Sequence, residues 1–189
     1  MEPSEALARA SDEFDRRLAG VTIEQWSIPT PCADWTVRDL TDHLIGGNRF
    51  AAHLLTGASL DEAIAAAFAG GFGDDPVGEF RAAAVAQRQA FAVPGALERV
   101  VHHHIGDMPG AQLLGFRLGD LTLHAWDLAR ATGGDERLDH ELLVQVWKEF
   151  EPRAAFIAQS GRFGNGPSGE VPEDAPLQER LLDLTGRRP

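Results

Sequence analysis

The chain has 189 residues, 29 of them acidic against 17 Lys and Arg, for a net charge of −12. That length suits a single domain able to bury a core without disulfide or metal staples, and the 43% hydrophobic and 24% charged content excludes wholesale disorder. The acidic balance excludes a general nucleic-acid binder, which needs a basic surface to displace phosphate counterions, and a single Cys excludes an internal disulfide or a multi-Cys zinc site.

Helical spacing dominates the chain. Residues 4–20 set Leu7, Ala10, Phe14 and Leu18 three and four apart, the apolar stripe of a first helix. The stretch VTIEQWSIPTPCADW, with two prolines, interrupts helix formation. Asp34 or Thr36 then caps a second helix that runs to about Leu55 and ends at Gly57. Residues 56–75 hold a short Ala-rich stretch and a flexible GGFGDDP connection, and Asp75-Pro76 starts a third helix reaching Ala92. Residues 97–105, LERVVHHHI, are the strand material, too little for a substantial sheet. Gly106 to Gly110 turns the chain into a long fourth helix, roughly Ala111 to Ala131, closed by Gly133-Gly134. A fifth helix over about 140–159, a Gly/Pro-rich connector and a short helix from Leu177 to Leu184 complete the chain.

No internal repeat occurs at solenoid periods, and no apolar run approaches the ~20 residues that span a bilayer. The N-terminus is acidic and polar, unlike a secretory signal. The expectation is therefore a cytoplasmic, all-α bundle with extra short helices and a minor strand segment, without nucleic-acid or membrane partners. Residues 1–160 form the bundle, and 161–189 supply the connector and a helix that docks back onto it.

Seven histidines mark where chemistry can sit. On the second helix, His43 lies beside Leu44 and one turn after Leu40, at the core-facing side. On the fourth, Asp120 and His124 fall within the stripe marked by Leu113, Leu121 and Leu128. Residues at i and i+4 lie one turn apart, with Cβ atoms roughly 5–6 Å from each other. Two readings follow: the pair hydrogen-bonds within a polar layer of the core, or both side chains reach one ion. An unpaired buried carboxylate is costly, so Asp120 needs a partner in either case. A second imidazole from a facing helix, His43, completes two His and one carboxylate, a set that leaves coordination positions open as catalytic metal sites do.

Other residues carry weaker signals. His102-His103-His104 alternate on a strand with His102 and His104 on one face, which is either solvated or a metal-binding pair. His53 points to the surface, and His140 beside Asp139 belongs to a helix cap. Cys32 is a small buried hydrophobe or a thiol near the site. Asp127, three residues after His124, either accepts a hydrogen bond from that imidazole or ends a salt-bridged helix face. Arg117 is a surface arginine or a receiver of anionic groups, and Trp126 and Trp147 are core or pocket walls. No Gly-rich phosphate loop, Ser-His-Asp order or nucleotide fingerprint is present.

The segments TPCADWTVRDLTDHLIGGN (30–48) and GDMPGAQLLGFRLGDLTLHAWDLARATG (106–133) resemble a family of bacterial metal-binding proteins. That family is related to the N-terminal domain of mycothiol-dependent maleylpyruvate isomerase, within the DinB-like superfamily. The tail VPEDAPLQERLLDLTGRRP resembles the ending of those small proteins, so the likeness spans nearly the whole chain. It implies a DinB-like four-helix bundle holding a divalent metal between helices, zinc foremost, with iron or nickel also suited to such a donor set. The family's ligands, a His on the second helix and an acidic-x-x-x-His pair on a later one, fall on His43, Asp120 and His124. Cys32, Arg117, Trp126 and Asp127 are the pocket candidates around them.

The resemblance further implies a metal-dependent thiol transferase or isomerase-like enzyme, with mycothiol as cosubstrate and a small electrophile as substrate. The alternative is a non-catalytic metal-binding or stress-response interaction module, and a homodimer stays open. Two departures stand out. The isomerase carries Glu where this chain has Asp120, shorter by one carbon–carbon bond of roughly 1.5 Å, which calls for a metal closer to this helix or bridged by water. It also has a further C-terminal portion that the residues after 160 do not replace.

Overall fold

A computed structural model describes residues 1–69, 73–159, 161, 163 and 166–188. Helix α1 (Pro3–Leu18) has proline in its first turn and buries Leu7, Ala10, Phe14 and Leu18, the stripe expected from their spacing. Helix α2 (Val37–Leu55) is capped by Thr36, whose hydroxyl accepts from Asp39 N–H while the Asp39 carboxylate accepts from Thr36 N–H. Helix α3 (Leu60–Ala67) begins at a similar box formed by Ser59 and Glu62. Helix α4 (Pro76–Phe91) starts at Asp75, whose side chain accepts from Gly78 N–H at 2.9 Å. Helix α5 (Gly110–Thr132) is the longest, and Gly133 ends it with φ of +73°.

Helices α1, α2, α4 and α5 form the four-helix bundle: α5 packs on α1 and α2, and α4 closes the ring against α1 and α2. The core lies between them, built from Phe14, Leu40, Leu44, Phe80, Leu121 and Trp126 among others. Strands β1 (Val100–His103) and β2 (Gly106–Pro109) pair antiparallel, Val100 opposite Pro109 and His103 opposite Gly106, and pack against α2 and α5. Helix α6 (His140–Phe150) packs on α5, and α8 (Leu177–Leu184) packs on α6 and on α7 (Ala154–Gln159). Among the described residues, no helix is long and apolar enough to cross a membrane.

Three local expectations are corrected. The Ala-rich stretch after residue 56 is a capped helix, α3. Gly106 to Pro109 is a strand, because Met108 is buried opposite Val101 and gives the segment a place in the core. The turn is His104-Ile105. The fifth helix is broken after Phe150 by a 3-10 turn, Glu151–Arg153, in which Pro152 lacks the N–H that a continuous helix needs. The flexible connection over GGFGDDP falls partly on residues 70–72, and the later connector partly on 160, 162, 164 and 165, outside the described residues.

Candidate metal centre

The packing of α2 on α5 brings His43 to Asp120, a contact that spacing along either helix leaves undecided. His43 Nε2 lies 3.2 Å from both Asp120 carboxylate oxygens, and His124 Nε2 lies 3.2 Å from Asp120 Oδ1. One ligand atom from each of these three residues falls within 4.8 Å of the others. A tetrahedral ion at about 2.0–2.2 Å from nitrogen and oxygen ligands sets such separations at about 3.3–3.6 Å, so the donor set fits a divalent cation by chemistry and by spacing. The Asp side chain, though shorter than Glu, reaches both imidazoles.

Asp120 and His124 are each held from behind. Arg117 hydrogen-bonds Asp120 Oδ2, and its other nitrogens donate to Gln87 Oε1 and Asn48 Oδ1, both at 2.9 Å. Oδ1 is thereby left for the imidazole pair. Gly47 makes room here, since a Cβ at that position would displace the Arg117 guanidinium. His124 Nδ1 donates to Asp127 Oδ2 at 2.8 Å, which aims Nε2 at Asp120. Asp127 is fully buried and is itself gripped by Arg187, whose Nε and Nη2 donate to its two oxygens at 2.9 and 2.6 Å.

These charges set the protonation states. Burial pushes the Asp120 carboxyl up, but His43, Arg117 and His124 outweigh it and hold the group well below the usual carboxylate range. Burial works against the His124 imidazolium, yet Asp120 and Asp127 raise its pKa well above the usual imidazole value. Burial likewise opposes the Asp127 charge, and Arg187 with His124 brings that carboxyl down to about 2.

The loop before α2 supplies the remaining wall. Thr30 N–H donates to Trp35 C=O at 2.8 Å and Trp35 N–H to Cys32 C=O at 3.1 Å, with Asp34 at φ +65° making the turn. Trp35 lies with its ring centroid 4.7 Å from that of His43 and 5.8 Å from that of His124. Cys32 is half-buried rather than enclosed; its Sγ donates to Asp127 Oδ2 at 3.3 Å and sits 3.7 Å from His124 Nδ1. Cys32, Trp35, His43, Asp120 and His124 border a cavity of about 950 Å³.

The sequence-based candidates divide accordingly. His43, Asp120 and His124 come together, and both readings of Asp127 hold, as acceptor for His124 and as an ion-pair partner. Arg117 is buried, not a surface arginine, because Asp120, Asn48 and Gln87 engage its nitrogens. Trp126 is enclosed in the core, where Arg130 stacks on its ring at 4.6 Å, and does not border the cavity. His102 pairs with Asp107 at 2.7 Å, and it is His103 and His104 that stack, with centroids 4.1 Å apart, and line the cavity. The turn at His104 defeats strand alternation there. His53 is exposed, and Asp139 caps the helix that begins at His140. Trp35 and Arg187 are missed by spacing: Trp35 lies in a loop without period, and Arg187 reaches Asp127 across 60 residues.

Residues 7–129 match the family described as the mycothiol maleylpyruvate isomerase N-terminal domain. The chain belongs to that family. Two uncharacterised proteins of Mycobacterium tuberculosis, Rv0738 of strain H37Rv and MT0763 of strain CDC 1551, are each 35% identical to it over 99% of this chain and 98% of their own length. The crystal structure of the mycothiol-dependent maleylpyruvate isomerase superposes with a TM-score of 0.61 at 20% identity, covering 85% of this chain and 71% of the isomerase. A histidine-to-alanine variant of that isomerase gives 0.62 at 16% identity over the same shares. At such identity these two structures establish the DinB-like helical fold of this family member.

Proposed function

We propose that this family member is a metal-dependent thiol transferase or isomerase-like enzyme, in which His43, Asp120 and His124 hold a divalent cation and mycothiol attacks a small electrophile. The observation that carries this reading is Asp120 Oδ1, 3.2 Å from the Nε2 atoms of both imidazoles, at the wall of an open cavity of about 950 Å³. Zinc suits two imidazoles and a carboxylate, and iron or nickel suit the same set. A divalent cation bound there supplies a lowered thiol pKa, so that thiolate is present at neutral pH.

The protein's own groups prepare the site for this. His124 would hold the cation through Nε2 once deprotonated there, while Asp127 keeps the Nδ1 proton in place and fixes the ring. Arg117 occupies Asp120 Oδ2 and leaves Oδ1 as the ligand atom. Trp35 covers one side of both imidazoles and limits water there. Attack of the thiolate on an activated carbon–carbon double bond forms the sulfur–carbon bond as the π pair moves toward the electron-withdrawing group. The adjacent carbon then takes a proton from solvent. A non-catalytic module would enclose its ion; the open cavity favours the enzyme. A reduced thiol cosubstrate and a lone free Cys suit the cytoplasm.

Metal-loaded protein given mycothiol and a panel of electrophiles is expected to consume thiol about a hundredfold faster than the buffer reaction. Consumption at the background rate across the whole panel would refute the enzymatic reading.

A further inference from the structure

We infer that the cavity is built for a neutral electrophile carrying a flat apolar body, and not for a dicarboxylate; as a substrate assignment this rests on the thiol-transfer reading above. The observation is where the aromatic side chains fall relative to the candidate ligands. On α5, Phe116 lies four residues before Asp120, about 6 Å along the helix, and on α2, Phe50 lies seven residues after His43, about 10 Å along. Both lie at the same end of the centre, because the ring centroid of His103 is 5.3 Å from that of Phe50 and 6.3 Å from that of Phe116. His104 stacks on His103, and these four rings form a continuous wall leading away from the three ligand candidates. Phe68 and Phe156 extend the apolar lining toward solvent, 64% and 52% exposed. Exposed aromatic groups at a cavity mouth cost solubility unless they meet an apolar ligand.

Charge points the same way. Among the described residues, the arginines that line the cavity are Arg117 and Arg187, and each is paired with a carboxylate of the centre, Asp120 and Asp127 respectively. A dicarboxylate would meet guanidinium groups already paired with carboxylates, whereas a neutral group asks for no new counter-ion. A planar apolar group instead covers Phe50 and Phe116 while its reacting carbon reaches the space beside Asp120. An aryl-substituted enone has the required shape: an electrophilic carbon a few ångströms from a neutral ring.

The test is a fluorescence titration of the metal-loaded full chain with N-phenylnaphthylamine, a neutral aromatic probe. Saturable binding is expected, displaced by benzylideneacetone and not by maleate. Phe116→Ser should weaken probe binding about tenfold, the equivalent of 1.4 kcal/mol. His104→Ala, at an exposed position that leaves the core intact, should weaken it about threefold. Displacement by maleate at or below the benzylideneacetone concentration would overturn the assignment, as would unchanged probe binding in both folded variants. Thiol consumption followed in parallel separates the two readings. Displacement by benzylideneacetone without its consumption supports the cavity assignment and overturns the transferase reading. Faster consumption of dicarboxylates than of neutral aryl enones overturns the substrate assignment and sustains the transferase.

Discussion

Asp127 is fully buried, and a buried carboxylate is tolerated only when donors fill its lone pairs. His124, Arg187 and Cys32 fill them here, and Arg187 also donates Nη1 to the Thr185 carbonyl. Removing the guanidinium leaves the charge with His124 as its remaining ionic partner, so Arg187→Ala is expected to cost about 3 kcal/mol in denaturant unfolding. The pH dependence has a definite sign. Asp127 is brought down to about 2 in the folded protein, so its stabilisation is present above the ordinary carboxylate pKa of about 3.9 and is lost as pH falls toward 2. In Arg187→Ala this acid-dependent loss should shrink, because the pKa depression goes with the partner. At this scale the i, i+4 spacing of Asp120 and His124 is legible in sequence, since one helical turn brings them together whatever surrounds them. Arg187 is not, because only the return of the tail to α5 creates its contact.

Among the elements, α2 and α5 fix the centre, and their rotation is set where each begins. Thr36 stops the preceding loop and starts α2 seven residues before His43, with Asp39 completing the reciprocal cap. Thr36→Ala is expected to cost about 1 kcal/mol, measurable as a shift in the urea midpoint at unchanged slope. Caps, Gly133 and the apolar stripes locate α1, α2, α4, α5 and α8 from sequence, because each signal acts within one or two turns. Strand β2 and the break at Pro152 are harder for opposite reasons. Gly106 to Pro109 carries turn-forming residues, and burial of Met108 against Val101 overrides them. The apolar stripe of α6 continues past Phe150 on paper, and a single proline interrupts it in the chain. Helix α3 announces itself through Ser59 and Glu62, a short box outweighed by the alanines and glycines around it.

For the whole molecule, the C-terminal segment is part of the centre's support. Helix α8 buries Leu181, Leu182 and Leu184 against the body, and Arg187 follows directly. We propose that residues 161–189 dock on the same domain as the bundle. Deleting them would then remove these three buried leucines, worth roughly 1.5–3 kcal/mol each, together with the Asp127 partner, a loss comparable to the ~5–15 kcal/mol of a typical domain. The truncated chain is expected to lose its cooperative thermal transition in calorimetry. An unchanged midpoint would mean that the tail merely rests on the surface. The net charge of −12 and the lone Cys, which first served to exclude partners, agree with a cation held by imidazole and carboxylate.

The most direct test of this centre is metal content measured by mass spectrometry on purified wild type, His43→Ala and His124→Ala, with circular dichroism as a check on folding. One divalent ion per wild-type chain is expected, lost from His124→Ala and strongly reduced in His43→Ala while helix content persists. Wild-type stoichiometry retained in a folded His124→Ala would contradict the assignment of His43, Asp120 and His124 as the ligands.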